Sequence, residues 1–259
     1  MCLILFSYRL HADYRLILAA NRDEFYSRPT APLDYWSEHP DVLAGQDLKS
    51  NGTWLGVTRS GRIAAVTNYR DPSAYMQNAP SRGTLVRNYL TGSLSPYHYL
   101  KAVSKIGRSY NGFNLIAGDP SHLYYYSNRA TKIRRLKPGL YAISNHLLDT
   151  AWPKVSKAKA QLRAQLVGKG KIEIEKIWEL LADRTPALDT ELPDTGVGLQ
   201  WERILSPVFI TSQDYGTRSS TIVLIEKSGQ INIMERTFLN SGNEIKQGET
   251  RQYGFKISL

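Results

Sequence analysis

Met1-Cys2-Leu3-Ile4-Leu5-Phe6 opens the chain, and Tyr14-Arg15-Leu16-Ile17-Leu18-Ala19-Ala20-Asn21-Arg22-Asp23-Glu24 follows after a polar break at residues 9–13. Two apolar runs of strand length separated by such a break read as a β-hairpin. In an antiparallel pair the end of the second strand lies beside the start of the first. The polar cluster Asn21-Arg22-Asp23-Glu24 is therefore predicted to sit next to Cys2, the only cysteine of the chain. Removal of Met1 would place a thiol and a free α-amine on that one residue. A covalent catalyst needs a nucleophile and a proton acceptor, and an α-amine with a pKa of roughly 7.7–8.0 serves as the acceptor near neutrality. The alternative reading of a lone cysteine is a small buried apolar residue.

The totals narrow the class. The chain has 259 residues, 42% hydrophobic and 22% charged, which suits a folded core and argues against general disorder. One domain spanning 1–259 is expected. No run approaches the length of a membrane span, and the opening apolar stretch, closed by Arg9, lacks the form of a secretory signal. One cysteine permits no internal disulfide or cysteine cluster, so a reducing, cytoplasmic setting is expected. The formal net charge of +10 draws anionic partners. Lys154, Lys157, Lys159, Arg163, Lys169, Lys171 and Lys176 crowd one segment, and Lys132, Arg134, Arg135 and Lys137 another. With no helix-turn-helix, zinc finger or aromatic RNA-binding signature beside them, they read as a solvated basic face, and no nucleic-acid partner is expected. His11, His39, His98, His122 and His146 show no metal-ligand spacing, so no metal is expected. No phosphate loop or dinucleotide fingerprint is present.

The periodicity predicts alternating blocks. A proline-bearing connection over 26–50 is read as irregular, followed by a hairpin at 54–58 and 63–67 and helices over 81–90 and 96–109. Short strands at 114–117, 123–127, 132–136 and 140–144 read as a meander. Helices follow at 150–167 and 174–182, a surface loop at 184–198, and strands at 208–211, 220–226 and 231–236. The polar tail 242–254 reads as loosely held.

Four polar tips fall at strand ends: residues 21–24, Thr67-Asn68-Tyr69-Arg70, Ser144-Asn145-His146, and the segment 215–220 containing Arg218. An acyl-transfer site around Cys2 needs an anchor for the amine, donors for the oxyanion and a cation to favour the thiolate. Asp23 is the candidate anchor, Asn68 and Asn145 the candidate donors, and Arg218 the candidate cation. Arg22, Tyr69, Arg70 and His146 are candidate substrate contacts. The competing reading of each is a turn former or a surface ion-pair partner.

The ordered set Met1-Cys2-Leu3, Asn21-Arg22-Asp23-Glu24, Thr53-Trp54-Leu55-Gly56, Thr67-Asn68-Tyr69-Arg70, Ser81-Arg82-Gly83, Ser144-Asn145, Trp152-Pro153-Lys154 and 215–220 closely resembles the NRDE family, also called the transport and Golgi organization protein two family. The resemblance spans nearly the whole chain. It implies a branch of the N-terminal nucleophile hydrolases and hence an α+β fold, a four-layer αββα sandwich of two antiparallel sheets between helical layers. Within that superfamily the bile-salt hydrolase and penicillin acylase group has counterparts to Cys2, Asp23, Asn145 and Arg218, with Asn68 a weaker match. The arginine that this group carries three residues before its aspartate falls on Ala20 here, while Arg22 adjoins Asp23.

Two functions follow as expectations. The first is a cysteine amidohydrolase-like enzyme that cleaves an amide or thioester of a small, anionic, partly apolar molecule and needs no cofactor. The second, which the resemblance also implies, is a non-catalytic protein that binds and moves heme or an acyl-CoA or lipid ligand. Sixteen tyrosines and the basic charge suit an anionic or amphipathic ligand in either case.

Overall fold

In the computed structural model, which describes residues 2–130, 132–166, 171–242 and 244–257, the opening hairpin forms part of a mixed-sequence sheet whose every pairing is antiparallel. The strands in chain order are β1 (Cys2–Tyr8), β2 (Tyr14–Phe25), β3 (Thr30–Tyr35), β4 (Val42–Asp47), β5 (Leu55–Thr58), β6 (Ile63–Asn68), β7 (Phe113–Gly118), β8 (Leu123–Ser127), β9 (Arg134–Arg135), β10 (Gly139–Ile143), β11 (Tyr215–Glu226), β12 (Gln230–Asn240) and β13 (Ile245–Lys256). The helices are α1 (Gly83–Thr91), α2 (Pro96–Ile106), α3 (Pro153–Gln165), α4 (Ile174–Leu181) and α5 (Leu199–Leu205). One sheet has the order β10-β1-β2-β11-β12-β13 and the other runs β3 to β9 in sequence order.

The alternation of β1 and β2 generates the layers. Ile4, Phe6, Leu16, Leu18 and Ala20 point between the sheets and meet Leu43, Val57, Ala65 and Ile116 of the second sheet. Leu3, Leu5, Ile17 and Ala19 point the other way, onto Val155, Ala158 and Leu162 of α3 and Ile177 and Leu181 of α4. The second sheet turns Ala44, Ala64, Val66 and Leu115 outward onto Leu85 and Tyr89 of α1 and Leu100 and Val103 of α2. Strands buried on both faces lose the polar-outward half of the usual alternation, which is why their sequences read as nearly continuous apolar runs. Burying each leucine, isoleucine or phenylalanine contributes roughly 1.5–3 kcal/mol, so three apolar layers hold the molecule. The result is the expected αββα sandwich, two antiparallel sheets between helical layers.

Several local expectations are corrected. Residues 26–50 are not an irregular connection but carry β3 and β4, and Pro32 is accommodated because β3 is a sheet edge with a register irregularity between Ala31 and Asp34. The strands from 114 to 144 do not form one meander. Leu140 and Ala142 face the α3 layer while Ile143 faces the inter-sheet core, so β10 crosses to the first sheet and pairs with β1. Residues 208–211 form no strand, because Phe209 donates its N–H to the carbonyl of Asp183 and Ile210 donates to Thr217 Oγ1. The polar tail is β13, an edge strand that lays Tyr253 and Phe255 against the core while its other residues stay wet. The structure adds a short helix, α5, that the sequence pattern does not predict, and the part of the helix expected at 150–167 that falls on residue 167 lies outside the described residues. No described helix is long and apolar enough to cross a membrane.

Candidate active site

Cys2 begins β1 opposite Arg22, on the same side of its strand as Ile4 and Phe6, so its side chain lies at the open end of the inter-sheet layer. There a cavity of about 110 Å³ is lined by Cys2, Arg22, Asp23 and Asn68, with Trp54 and Arg82 closing it from the second sheet and the start of α1. Met1 lies outside the described residues. The thiol is pushed up by burial of its surroundings, with Asp23 acting in the same direction and Arg22 against it. At neutral pH it is therefore held as a thiol, and attack requires a base.

Asp23 is buried and faces the helical side, where Thr217 Oγ1 donates to its Oδ1 at 2.7 Å and the Tyr215 hydroxyl donates to its backbone carbonyl at 2.9 Å. A bulge between Thr217 and Ser219 makes this possible. In a regular strand Thr217 and Ser220 would face opposite ways, but the extra residue, Arg218, puts both on the helical side. Ser220 Oγ donates to Asn21 Oδ1 at 2.6 Å, and Asn21 Nδ2 ties down the carbonyls of Leu181 and Val208 at 2.8 and 2.9 Å. Burial raises the Asp23 carboxyl, and the nearby Lys154 charge opposes that rise.

The asparagines divide their work. Asn68 lines the cavity, whereas Asn145, fully buried, donates Nδ2 to the carbonyl of Asn68 at 3.0 Å and so sets where Asn68 lies. The segment after β10 is held by a buried chain. Tyr125 donates to Asn114 Oδ1, Asn114 Nδ2 donates to Thr67 Oγ1 and to the carbonyl of His146, and Thr67 donates to the carbonyl of Ser144. Ser144 in turn donates to the carbonyl of Cys2 at 3.4 Å. Buried polar groups so fully partnered make a stiff wall.

Among the arginines, Arg22 is 5% exposed and stacks over the Trp54 ring at 4.2 Å. Trp54 in turn requires Gly45, where a Cβ would meet its ring at 2.4 Å. Arg218 does not line the Cys2 cavity. It donates Nη1 to the carbonyls of Phe25 and Arg28 and borders an adjoining cleft. Arg70 is spent on Glu202 of α5, at 2.6 Å with both side chains buried, and its backbone N–H binds the carbonyl of Asn145. Tyr69 and His146 share a hydrogen bond at 2.8 Å, and His146 shares another with Thr150, so these residues brace the wall behind Asn68.

Lys154 departs from the solvated basic face assigned to it. It is buried, donates Nζ to the carbonyl of Leu205 at 2.8 Å, and desolvation lowers it from 10.5 to about 8, with the Asp23 charge holding it up. Lys157 and Lys159 of the same group do sit at the surface, paired with Asp183 and Asp149, and Lys169 lies outside the described residues. A folded-state pKa below the unfolded one means that the unfolded chain binds more protons between about 8 and 10.5, so this lysine makes stability rise with pH across that window. Urea unfolding from pH 7.5 to 9.5 is expected to show a more positive slope in the wild type than in Lys154→Met. Equal slopes would contradict this placement.

Arg82 and Lys154 are the site residues that the strand-tip argument missed. Both lie in tripeptides that carried the family resemblance, Ser81-Arg82-Gly83 and Trp152-Pro153-Lys154, at the starts of α1 and α3. Helix starts as well as strand ends converge on this end of the sandwich.

The family described as Transport and Golgi organisation 2 has a model that matches residues 1–240. The Transport and Golgi organization protein 2 homologs of Bos taurus and Homo sapiens are each 38% identical over 280 residues, covering 99% of this chain and 99% of theirs. Among solved structures, a Caenorhabditis elegans N-acylethanolamine-hydrolyzing acid amidase ortholog superposes with a TM-score of 0.50 at 11% identity, covering 86% of this chain and 92% of the other. At that identity the likeness concerns the fold.

Proposed function

This chain belongs to the Transport and Golgi organisation 2 family, and from that premise we propose that it is an N-terminal cysteine amidohydrolase acting on an amide or thioester of a small anionic, partly apolar molecule. The observation that carries the reading is the position of Cys2: first residue of a strand, at the mouth of a cavity it shares with Arg22, Asp23 and Asn68.

With Met1 removed, the α-amine of Cys2 takes the thiol proton as Sγ attacks the substrate carbonyl carbon. Asp23 holds the resulting ammonium, which suits a buried carboxylate with Thr217 fixing one oxygen. The Asn68 amide faces the developing oxyanion, positioned by Asn145. Arg22 and Arg82 supply positive charge at the cavity wall. The ammonium then returns its proton to the leaving nitrogen or sulfur as the C–N or C–S bond breaks. Water hydrolyses the Cys2 thioester, releasing the acid and restoring the thiol. Arg218 enters this scheme from the adjoining cleft, and Tyr69, Arg70 and His146 act through the wall they brace.

A cavity of about 110 Å³ is well below the roughly 300–1,000 Å³ of sites that enclose a drug-sized ligand. It admits the reacting end of a substrate and leaves the rest outside, a better match to bond cleavage than to enclosure of heme as a carried ligand. The test begins with intact mass, to select protein that starts at Cys2. That protein is then incubated with a panel of acyl amides and acyl thioesters. Turnover together with an acyl adduct on Cys2 is the expected result. Binding without turnover or adduct across the panel would overturn it in favour of a carrier of heme or an acyl-CoA or lipid ligand.

A further inference from the structure

Beside the Cys2 cavity lies a second cleft, of about 200 Å³, lined among others by Arg22, Arg218, Trp54, Pro32, Phe238 and Leu239. Arg22 and Trp54 belong to both spaces, so the stacked pair is the partition between them. Arg22 Nη1 is buried and has no hydrogen-bond partner among the described residues, although the side chain is 5% exposed. A buried charged donor in that state is expensive unless a ligand or water completes it. Arg218 commits Nη1 to backbone carbonyls, which fixes the guanidinium without neutralising it. The facing acid is Glu235, whose oxygens are occupied by the Leu33 N–H at 2.7 Å and the Thr221 hydroxyl at 3.4 Å. Burial opposes its ionisation, and the Arg22 charge favours it. Two guanidiniums thus face one buried carboxyl, leaving the cleft positive. The lining also includes apolar residues, Pro32, Phe238 and Leu239, and Leu239 is 61% exposed.

Resting on the hydrolase reading for the adjacent thiol, we propose that this cleft is the substrate's tail subsite, and that it takes a carboxylate joined to an aliphatic chain. The carboxylate lies between Arg22 and Arg218, and the chain lies along Pro32, Phe238 and Leu239. Charged hydrogen bonds to a planar guanidinium favour a carboxylate geometrically. The exposed leucine, with Pro32 and Phe238 beside it in the lining, favours methylenes over a compact anion such as phosphate.

The probe is octanoate, titrated calorimetrically into Cys2→Ala protein, with acetate and octanol as partial ligands. The absence of turnover in that variant separates this test from the hydrolase reading: a failed titration counts against the cleft, whereas a failed substrate panel counts against the thiol. Octanoate is expected to bind at least tenfold more tightly than acetate or octanol. Arg218→Gln and Leu239→Asp, each added to Cys2→Ala, are expected to weaken it at least tenfold. Leu239 is exposed, so its replacement leaves folding intact and carries the test by itself if Arg218→Gln unfolds. No octanoate binding, acetate binding as tight as octanoate, or octanoate affinity unchanged by Leu239→Asp would each overturn the assignment.

Discussion

Cys2→Ala is expected to lower kcat by about 10⁴-fold or more on whichever amide or thioester the wild type cleaves, because removing a nucleophile abolishes the covalent route altogether. Substrate affinity is expected to hold, since the binding walls come from other residues. Cys2→Ser is expected to fall between the two: a hydroxyl is far less acidic than a thiol, and burial already disfavours the anion at this position. Protein that retains Met1 should behave like Cys2→Ala, as its Cys2 nitrogen is an amide without basicity. Steady-state kinetics on these preparations, with thermal melting to confirm folding, provides the check. An alanine variant with wild-type kcat would end the proposal.

The second large effect concerns stability. Arg70 and Glu202 are 5% and 4% exposed and meet at 2.6 Å, so losing one partner strands a charge in low dielectric. Arg70→Leu and Glu202→Leu are each expected to destabilise by about 3–5 kcal/mol, and the double replacement by much less than the sum of the two. Glu202 also accepts from the backbone and hydroxyl of Thr195, so the glutamate variant should in addition loosen the segment before α5. Urea midpoints of the two single variants and the double variant measure the coupling. Strict additivity would show that the pair contributes no mutual stabilisation.

The elements most clearly legible in the sequence were those buried on both faces. The hairpin of β1 and β2, the hairpin of β5 and β6, and the helices α1 to α4 were foreseen within a few residues because apolar spacing and turn residues agreed there. The edges were not. β3 and β13 lie at sheet edges and contact the core through only some of their residues, so their sequences look like polar connections until a neighbouring strand supplies the pairing, whereas β4 is an interior, buried strand whose short apolar run ends in Gly45-Gln46-Asp47 and so gives too little pattern to read. β10 was recognised as a strand but placed in the wrong sheet, because local pattern carries no information on which partner a strand finds.

The same boundary runs through the candidate site. That Cys2 lies beside residues 21–24 follows from the hairpin alone, since antiparallel pairing dictates which ends meet. Asn68 also lay at a legible strand end. The burial of Lys154 did not follow, because a lysine on a basic helix takes its environment from what packs over it, here the carbonyl of Leu205 and the carboxylate of Asp23. Nor did the separation of Arg218 from the cysteine cavity, which depends on a one-residue bulge, or the pairing of Arg70 with a glutamate 132 positions away. Short-range periodicity and chain reversal determined the layers and the neighbourhood of the thiol. Long-range packing decided which charges are buried, which are spent on each other, and which face the open space, because desolvation is a property of the assembled surroundings and not of the residue.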